Sequence, residues 1–152
     1  MPILENNKLY AIRPRHANEN NRNSVLAVRN ASLDRNQDLC LYRWTGGDEQ
    51  RWYAIDKGNE TYKFIAKHSG QCMEVYTRNN DTGAIIVQYP EQDNDTAQLM
   101  KLEPAGGIYY YIRPQNSRLY VSVKDQSLDD GAAVNQWSLT SVTNQVFEFV
   151  KV

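Results

Sequence analysis

Gln50-Arg51-Trp52 recurs along the chain as Gln98-Leu99-Met100 and Gln145-Val146-Phe147, at intervals of 48 and 47 residues. Each triplet closes a block that begins with a Tyr-rich apolar segment, passes through a short aliphatic pair and ends shortly after a second aromatic. Three such blocks, approximately 8–57, 58–106 and 107–152, fill almost the whole chain. The expectation is one domain, 1–152, subdivided by the repeat; 152 residues suffice to bury a core without metal or disulfide support.

Within the blocks the apolar runs are short and bounded by Asn, Asp and Gly clusters, which is strand and turn chemistry. The first block offers Leu9–Ile12, Val25–Val28, Leu39–Trp44 and Arg51–Ile55. The second offers Tyr62–Ile65, Cys72–Val75, Ala84–Tyr89 and Leu99–Leu102, and the third Tyr109–Ile112, Leu119–Val123, Ala132–Trp137 and Val146–Val150. That predicts twelve strands, four per block. No stretch has helical periodicity beyond about two turns, so the fold class is all-β.

Val75 to Tyr89 and Val123 to Trp137 are both fourteen residues apart, with Gly83 and Gly131 each eight residues after the valine. Taken from Val28 to Trp44, the first block is two residues longer and lacks a glycine at the matching place. It also carries a longer polar loop from Arg15 to Asn23, and insertions confined to turns cost little. Propeller blades share a period near 47, but propellers use about four to eight of them. Three four-stranded units around a pseudo-threefold axis make a β-trefoil, whose closed barrel leaves no exposed sheet edge.

These residues resemble the ricin B-type β-trefoil lectins over essentially residues 8 to 151. The resemblance rests on the Gln-x-Trp triplet, complete once and with Met100 or Phe147 replacing the tryptophan elsewhere, on Ser69-Gly70-x-x-Met73-x-Val75, and on Asp81-Thr82-Gly83, Val87-Gln88-Tyr89 and Asp95-Thr96-Ala97-Gln98. The triplet itself reads as scaffold: a core aromatic or Met, and a glutamine amide that ties turn backbone through its donor and acceptor.

The resemblance implies a non-enzymatic carbohydrate-binding lectin with a sugar pocket in each repeat. Such a pocket comprises a polar residue on the second strand, an aromatic ending the third, and an amide just before the Gln-x-Trp. The apolar C–H face of a hexose packs on the ring while its hydroxyls bond to a carboxylate or amide. Carried over, the third repeat offers Trp137, Asn144, Asn135 at a flanking position, and Ser122 where the family typically has Asp. The second offers Glu74 and Tyr89 but Ala97 in place of the amide. The first keeps Trp44, with Ala27 for the acid and Glu49 for the amide. No repeat holds the full galactose-type set. Strand alternation puts Val134 and Trp137, Ile86 and Tyr89, and Leu41 and Trp44 on opposite faces, so inward aliphatics turn the rings outward; inward Ile85 or Ala133, or a bulge, would reverse this.

The partners implied by resemblance are glycans, galactose or N-acetylgalactosamine type among them, with a homodimer left open. Shallow single sites gain avidity from several pockets or from oligomerisation. With 17 basic against 18 acidic residues there is no field to draw in nucleic acid or an anionic membrane. The N-terminus lacks a signal peptide and no stretch has membrane-span length, so the expectation is no membrane insertion and a cytoplasmic chain as synthesised, with release by a non-signal route left open. No cofactor or metal is expected. Asp34-x-Asn36-x-Asp38 begins like a calcium loop but continues with Leu39 instead of Gly and reaches Thr45 instead of Glu. Cys40 and Cys72 read as reduced, buried thiols rather than a bridge, and neither forms a nucleophile motif with His16 or His68. The alternative from another class is a trefoil protein-interaction module: a protease inhibitor using the long Arg13–Asn23 loop, or a non-sugar-binding subunit of a toxin or surface assembly.

Overall fold

The computed structural model describes residues 2–152 and contains twelve strands, four per repeat. They are β1 (Lys8–Pro14), β2 (Ser24–Val28), β3 (Leu39–Arg43), β4 (Trp52–Asp56), β5 (Thr61–Ala66), β6 (Cys72–Val75), β7 (Ile86–Tyr89), β8 (Met100–Pro104), β9 (Tyr109–Pro114), β10 (Tyr120–Val123), β11 (Val134–Trp137) and β12 (Phe147–Lys151). The first and fourth strands of the repeats pair antiparallel in the order β4-β1-β12-β9-β8-β5, and β5 returns to β4, closing a six-stranded barrel. The hairpins β2–β3, β6–β7 and β10–β11 cap it. This is the β-trefoil.

The hairpins interlock in a cycle. Asp38 of the first repeat bridges to Val87 of the second, Ile85 of the second to Asn135 of the third, and Ala133 of the third to Cys40 of the first. Each bridge is flanked by backbone bonds, as in Asn36 N–H to Gln88 O (2.8 Å), Gly83 N–H to Gln136 O (2.8 Å) and Gly131 N–H to Leu41 O (2.7 Å). Each repeat therefore supplies the edge its neighbour needs, and none is complete alone.

The closing residues of the triplets, Trp52, Met100 and Phe147, are fully buried in the common core with Leu39, Ile86 and Val134. The three glutamines make one set of bonds. Their Oε1 atoms accept from the backbone N–H of Thr45, Gln92 and Thr140 at 2.8–3.0 Å, and their Nε2 atoms donate to the carbonyls of Arg43, Pro90 and Ser138 at 2.8–3.0 Å. A second Nε2 bond reaches the second strand: Gln98 to Glu74 Oε1 and Gln145 to Ser122 Oγ, each at 3.0 Å. In the first repeat Ala27 offers no acceptor side chain. The glutamine thus joins the turn to the cap, satisfying polar groups that burial would otherwise strand.

Two sequence expectations change. The Arg15–Asn23 segment is not an extended loop: it folds into a short helix, α1 (Arg15–Glu19), with His16 and Ala17 buried. Its His16 Nε2 donates to Ser127 O at 2.8 Å, and Asn18 Nδ2 donates to Glu148 Oε1 at 3.1 Å. The extra residues pack onto the third repeat. Nor does the first repeat carry an insertion between its second and third strands. Val28 pairs with Leu39 as Val75 does with Ile86 and Val123 with Val134, and Asn36 stands where Gly83 and Gly131 do. Its φ of 66° is the left-handed conformation, which asparagine tolerates next best after glycine. Asp38, the last oxygen of the calcium-like segment, is bound by Arg29.

His16 belongs to a threefold set invisible in the sequence pattern. His68 Nε2 donates to Ser32 O at 2.8 Å, and Asn116 Nδ2 to Asn79 O at 3.1 Å. Each side chain clasps the tight turn after the second strand of the preceding repeat. Gln88 and Gln136 reinforce the clasp on Ser32 and Asn79 at 2.8 and 2.9 Å. At the equivalent place the first repeat has Leu41, which leaves His16 as the one side-chain donor to Ser127 O among the described residues.

Candidate functional site

The strand register places three equivalent clefts beside the caps, each between the face of the second and third strands and the 3-10 turns that follow the second strand and precede the Gln-x-aromatic residue. The third cleft, about 280 Å³, brings together Ser122, Asn135, Trp137 and Asn144 with Lys124, Asp125 and Gln126 on its lip. Ser122 lies opposite Asn135 in the β10–β11 ladder, and Trp137, two residues from Asn135, shares its face. Val134 and Gln136 point inward and are buried, so the Trp137 ring faces outward and is 44% exposed. An exposed indole of that extent at a cleft mouth is unusual for a packing residue. Gly83 of the second repeat abuts its edge; a Cβ there would sit 3.5 Å from Cζ3.

The floor of this cleft is polar and partly unsatisfied. Asn144 Nδ2 donates to Val123 O at 2.8 Å, which turns its Oδ1 the other way, and that oxygen has no partner. Asn135 Oδ1 is also buried and unpartnered. Both side chains are more than nine-tenths buried, at 8% and 5% exposure. Buried acceptors without donors are costly and call for a ligand hydroxyl or water. Ser122 is spent on the scaffold: its Oγ donates to Tyr120 O at 3.2 Å and accepts from Gln145.

The second cleft, about 240 Å³, gathers Glu74, Tyr89, Arg78, Thr77 and Asn36. Glu74 is buried and bonded to Gln98 and Asp95. Burial first, then the hydrogen bond and repulsion of Asp95, raise its carboxyl to about 7, with Gln98 and Arg78 opposing. Asp95 goes the other way: against the burial that would raise it, the bonds from Glu74, Arg78 Nε (2.9 Å) and the Ala97 N–H hold it below the usual Asp range. The pair therefore holds one proton below about pH 7 and releases it above. Arg35 lies 5.4 Å over the Tyr89 ring, and Ala97 supplies no amide.

In the first cleft, about 280 Å³, the aromatic is Tyr42, not Trp44. Tyr42 pairs with Val25 as Tyr89 does with Cys72 and Trp137 with Tyr120. Val28 to Tyr42 spans fourteen residues, the spacing of the other repeats, so the signal was present in the sequence and the more conspicuous tryptophan masked it. Trp44 lies outside the cleft and stacks under Arg51, whose guanidinium carbon is 5.2 Å from its ring centre. Ala27 and Cys40 face the cleft, with Glu49, Arg29 and Asn30 around them. Cys40 and Cys72 are free and buried, and burial pushes the Cys40 thiol up to about 11 and Cys72 higher still. Among the described residues no group of three or more His, Cys, Asp or Glu is arranged to hold a metal ion, and no helix is long and apolar enough to cross a membrane.

Comparison with known proteins places these clefts in context. A curated relative, the clotting factor G alpha subunit of Tachypleus tridentatus, is 44% identical over 41 residues, 27% of this chain and 6% of that protein, so the chain spans only a small part of the curated relative it matches. Among solved structures, the designed threefold-symmetric protein ThreeFoil superposes with a TM-score of 0.88 at 30% identity, over 95% of this chain and 99% of that one. The exo-β-1,3-galactanase 1,3Gal43A of Clostridium thermocellum gives 0.87 at 26% identity, over 95% of this chain and 30% of that one. The ricin B-like lectin of Macrolepiota procera, solved with lactose, shares the fold at a TM-score of 0.79 and 12% identity, over 98% of this chain and 99% of that one. A family model described as ricin-type beta-trefoil lectin domain-like matches residues 4–89 and 77–137. The chain belongs to the ricin-type β-trefoil lectin-like domain family.

Proposed function

We propose that this chain is a non-enzymatic lectin that binds a neutral hexose in the third cleft. Trp137 is the platform for the sugar's C–H face, and Asn135 Oδ1 and Asn144 Oδ1 accept from its hydroxyls. The observation that carries this is the pairing of an exposed indole with two buried, unpartnered acceptors in one cleft. Ser122 positions the site through Gln145 and does not contact the sugar. Lactose, bound by the Macrolepiota procera lectin, is a suitable first probe.

The second cleft is the weaker candidate, because Glu74 is engaged by Gln98 and Asp95 and the position before Gln98 is Ala97, which supplies no amide. A reaction at either thiol is disfavoured, since both are held protonated near neutrality by burial. The protein-interaction alternative rests on the long segment after β1 and on the incomplete sugar sets; that segment is folded against the third repeat, which removes the extended inhibitory loop. Glycan-array binding by the native chain that disappears in Trp137→Ala, with the circular dichroism of the two proteins superimposable, is the expected result. Silence of the native chain across a broad array would reject the proposal.

A further inference from the structure

The three clefts share a frame but differ in charge. At the position before the repeated glutamine the third repeat has Asn144, the second Ala97 and the first Glu49. Three residues before that glutamine the order is Val142, Asp95 and Gly47. The two positions are linked in space. A Cβ on Gly47 would lie 2.7 Å from Glu49 Cδ and closer still to both carboxylate oxygens, so the missing side chain makes room for the Glu49 carboxylate. Gly47 itself has φ −67° and ψ 153°, extended backbone open to any residue, so its smallness matters here for space and not for conformation.

The cations around this carboxylate are committed elsewhere. Arg29 Nε bonds both oxygens of Asp38 at 3.2 and 3.0 Å and its Nη2 donates to Gly131 O at 2.9 Å. Arg51 and Lys67 face Asp48 at 3.9 and 3.5 Å. Among the described residues Glu49 has no hydrogen-bond or ion-pair partner, and it lines the same cleft as the Tyr42 ring. The buried Cys40 thiol beside them is neutral near pH 7 and adds a polarisable surface without charge.

We infer that the first cleft is a second binding site whose ligand is a cationic amino sugar, a pyranose bearing a protonated amine, with the ring on Tyr42 and the ammonium on Glu49. A carboxylate accepts only, so it matches a donor-only ammonium better than a hydroxyl, and an ammonium held beside an aromatic face gains a cation–π contribution. The third cleft is floored by neutral amides, and its one carboxylate, Asp125, stands on the lip next to Lys124. The inference rests on the reading of the clefts as sugar sites with aromatic platforms, and the two fail separately.

The test is titration of the ¹⁵N-labelled chain with D-glucosamine, with D-glucose, N-acetylglucosamine and lactose as neutral comparators, read at the backbone amides of Asn30, Ala31 and Glu49 for the first cleft and at the Trp137 indole for the third. Glucosamine is expected to shift the first-cleft amides with an affinity that falls as salt rises, while the neutral sugars shift them little. Glu49→Gln weakens glucosamine about fivefold, the upper end for a partly exposed ion pair, and leaves lactose at the Trp137 indole unchanged. Gly47→Val, which gives this position the residue of the third repeat, reproduces the loss by displacing the carboxylate. Neutral sugars moving Asn30 and Glu49 as strongly as glucosamine, or undiminished glucosamine binding in both variants, would overturn the inference. Silence at Trp137 with every sugar, against a normal first-cleft response, would instead count against the third-cleft proposal alone.

Discussion

Replacing Gln145 by Met keeps the length and approximate volume of the side chain and removes its hydrogen bonding. Four bonds are lost: Oε1 accepts from Thr140 N–H at 2.9 Å and Thr140 Oγ1 at 3.1 Å, and Nε2 donates to Ser138 O at 2.8 Å and Ser122 Oγ at 3.0 Å. Each is worth about 1 kcal/mol net, but Thr140 and Ser138 are exposed and recover part of that from water. Ser122 is buried and recovers none. The expected cost is about 2–3 kcal/mol, with little packing penalty from a shape-conserving change. Gln50→Met provides the internal control. Gln50 makes the same bonds to Thr45 and Arg43, and no fourth, because Ala27 faces it. It should therefore cost about 1 kcal/mol less, or roughly 3 °C less in Tm for a chain of this size. Urea unfolding at constant m-value measures both. Equal losses in the two variants would refute the assignment of the fourth bond, and a loss below about 0.5 kcal/mol in either would remove the glutamine from the scaffold.

The Glu74 carboxyl, raised to about 7 in the fold, binds a proton that the unfolded chain releases near 4.5, so its contribution to stability declines as pH rises from about 4.5 through 7. Glu74→Gln should flatten that decline in urea midpoints measured across the range, and an unchanged slope would show that the shared proton is absent. His16 has the opposite sign. Burial holds its imidazole below 6.5, against the pull of the Ser127 carbonyl and Glu19, so its contribution is present above 6.5 and lost as pH falls below it. His16→Asn, the residue type that makes the same clasp at position 116, should keep the fold near native at pH 7 and remove the loss on acidification, whereas His16→Ala should speed amide exchange at Lys124–Ser127 at every pH. Trp44→Ala should leave lactose binding within about twofold of native, because Trp44 lies outside the clefts under Arg51.

The scaffold was legible because repetition made each weak signal count three times. The Gln-x-aromatic spacing set the register, alternation around Ile86 and Val134 turned the aromatics outward, and all twelve strands lie where the apolar runs put them. Part of what the repeat pattern does not carry lies where one repeat departs from the others. Trp44, the larger ring, masks Tyr42, although the fourteen-residue spacing favours the tyrosine. Asn36 does the work of a glycine in the left-handed region, so the first repeat lacks the glycine that marks this turn in the other two. The clasps of His16, His68 and Asn116 unite unlike residues through side-chain to backbone bonds across repeats, which no periodicity records. Nor does periodicity mark Leu4, buried with its N–H bonded to the Tyr62 hydroxyl at 2.9 Å, because the segment before β1 has no counterpart in the other repeats. Ser122 and Glu74 stand at the expected second-strand positions, yet their bonds to glutamine side chains make them supports of the fold.

The most direct measurement is a crystal of the native chain soaked in lactose and read at the three clefts. The account predicts sugar density stacked on the Trp137 ring, with two hydroxyls within hydrogen-bond distance of Asn135 Oδ1 and Asn144 Oδ1. An empty third cleft at a lactose concentration that saturates binding in solution, or lactose seated away from Trp137, would contradict it.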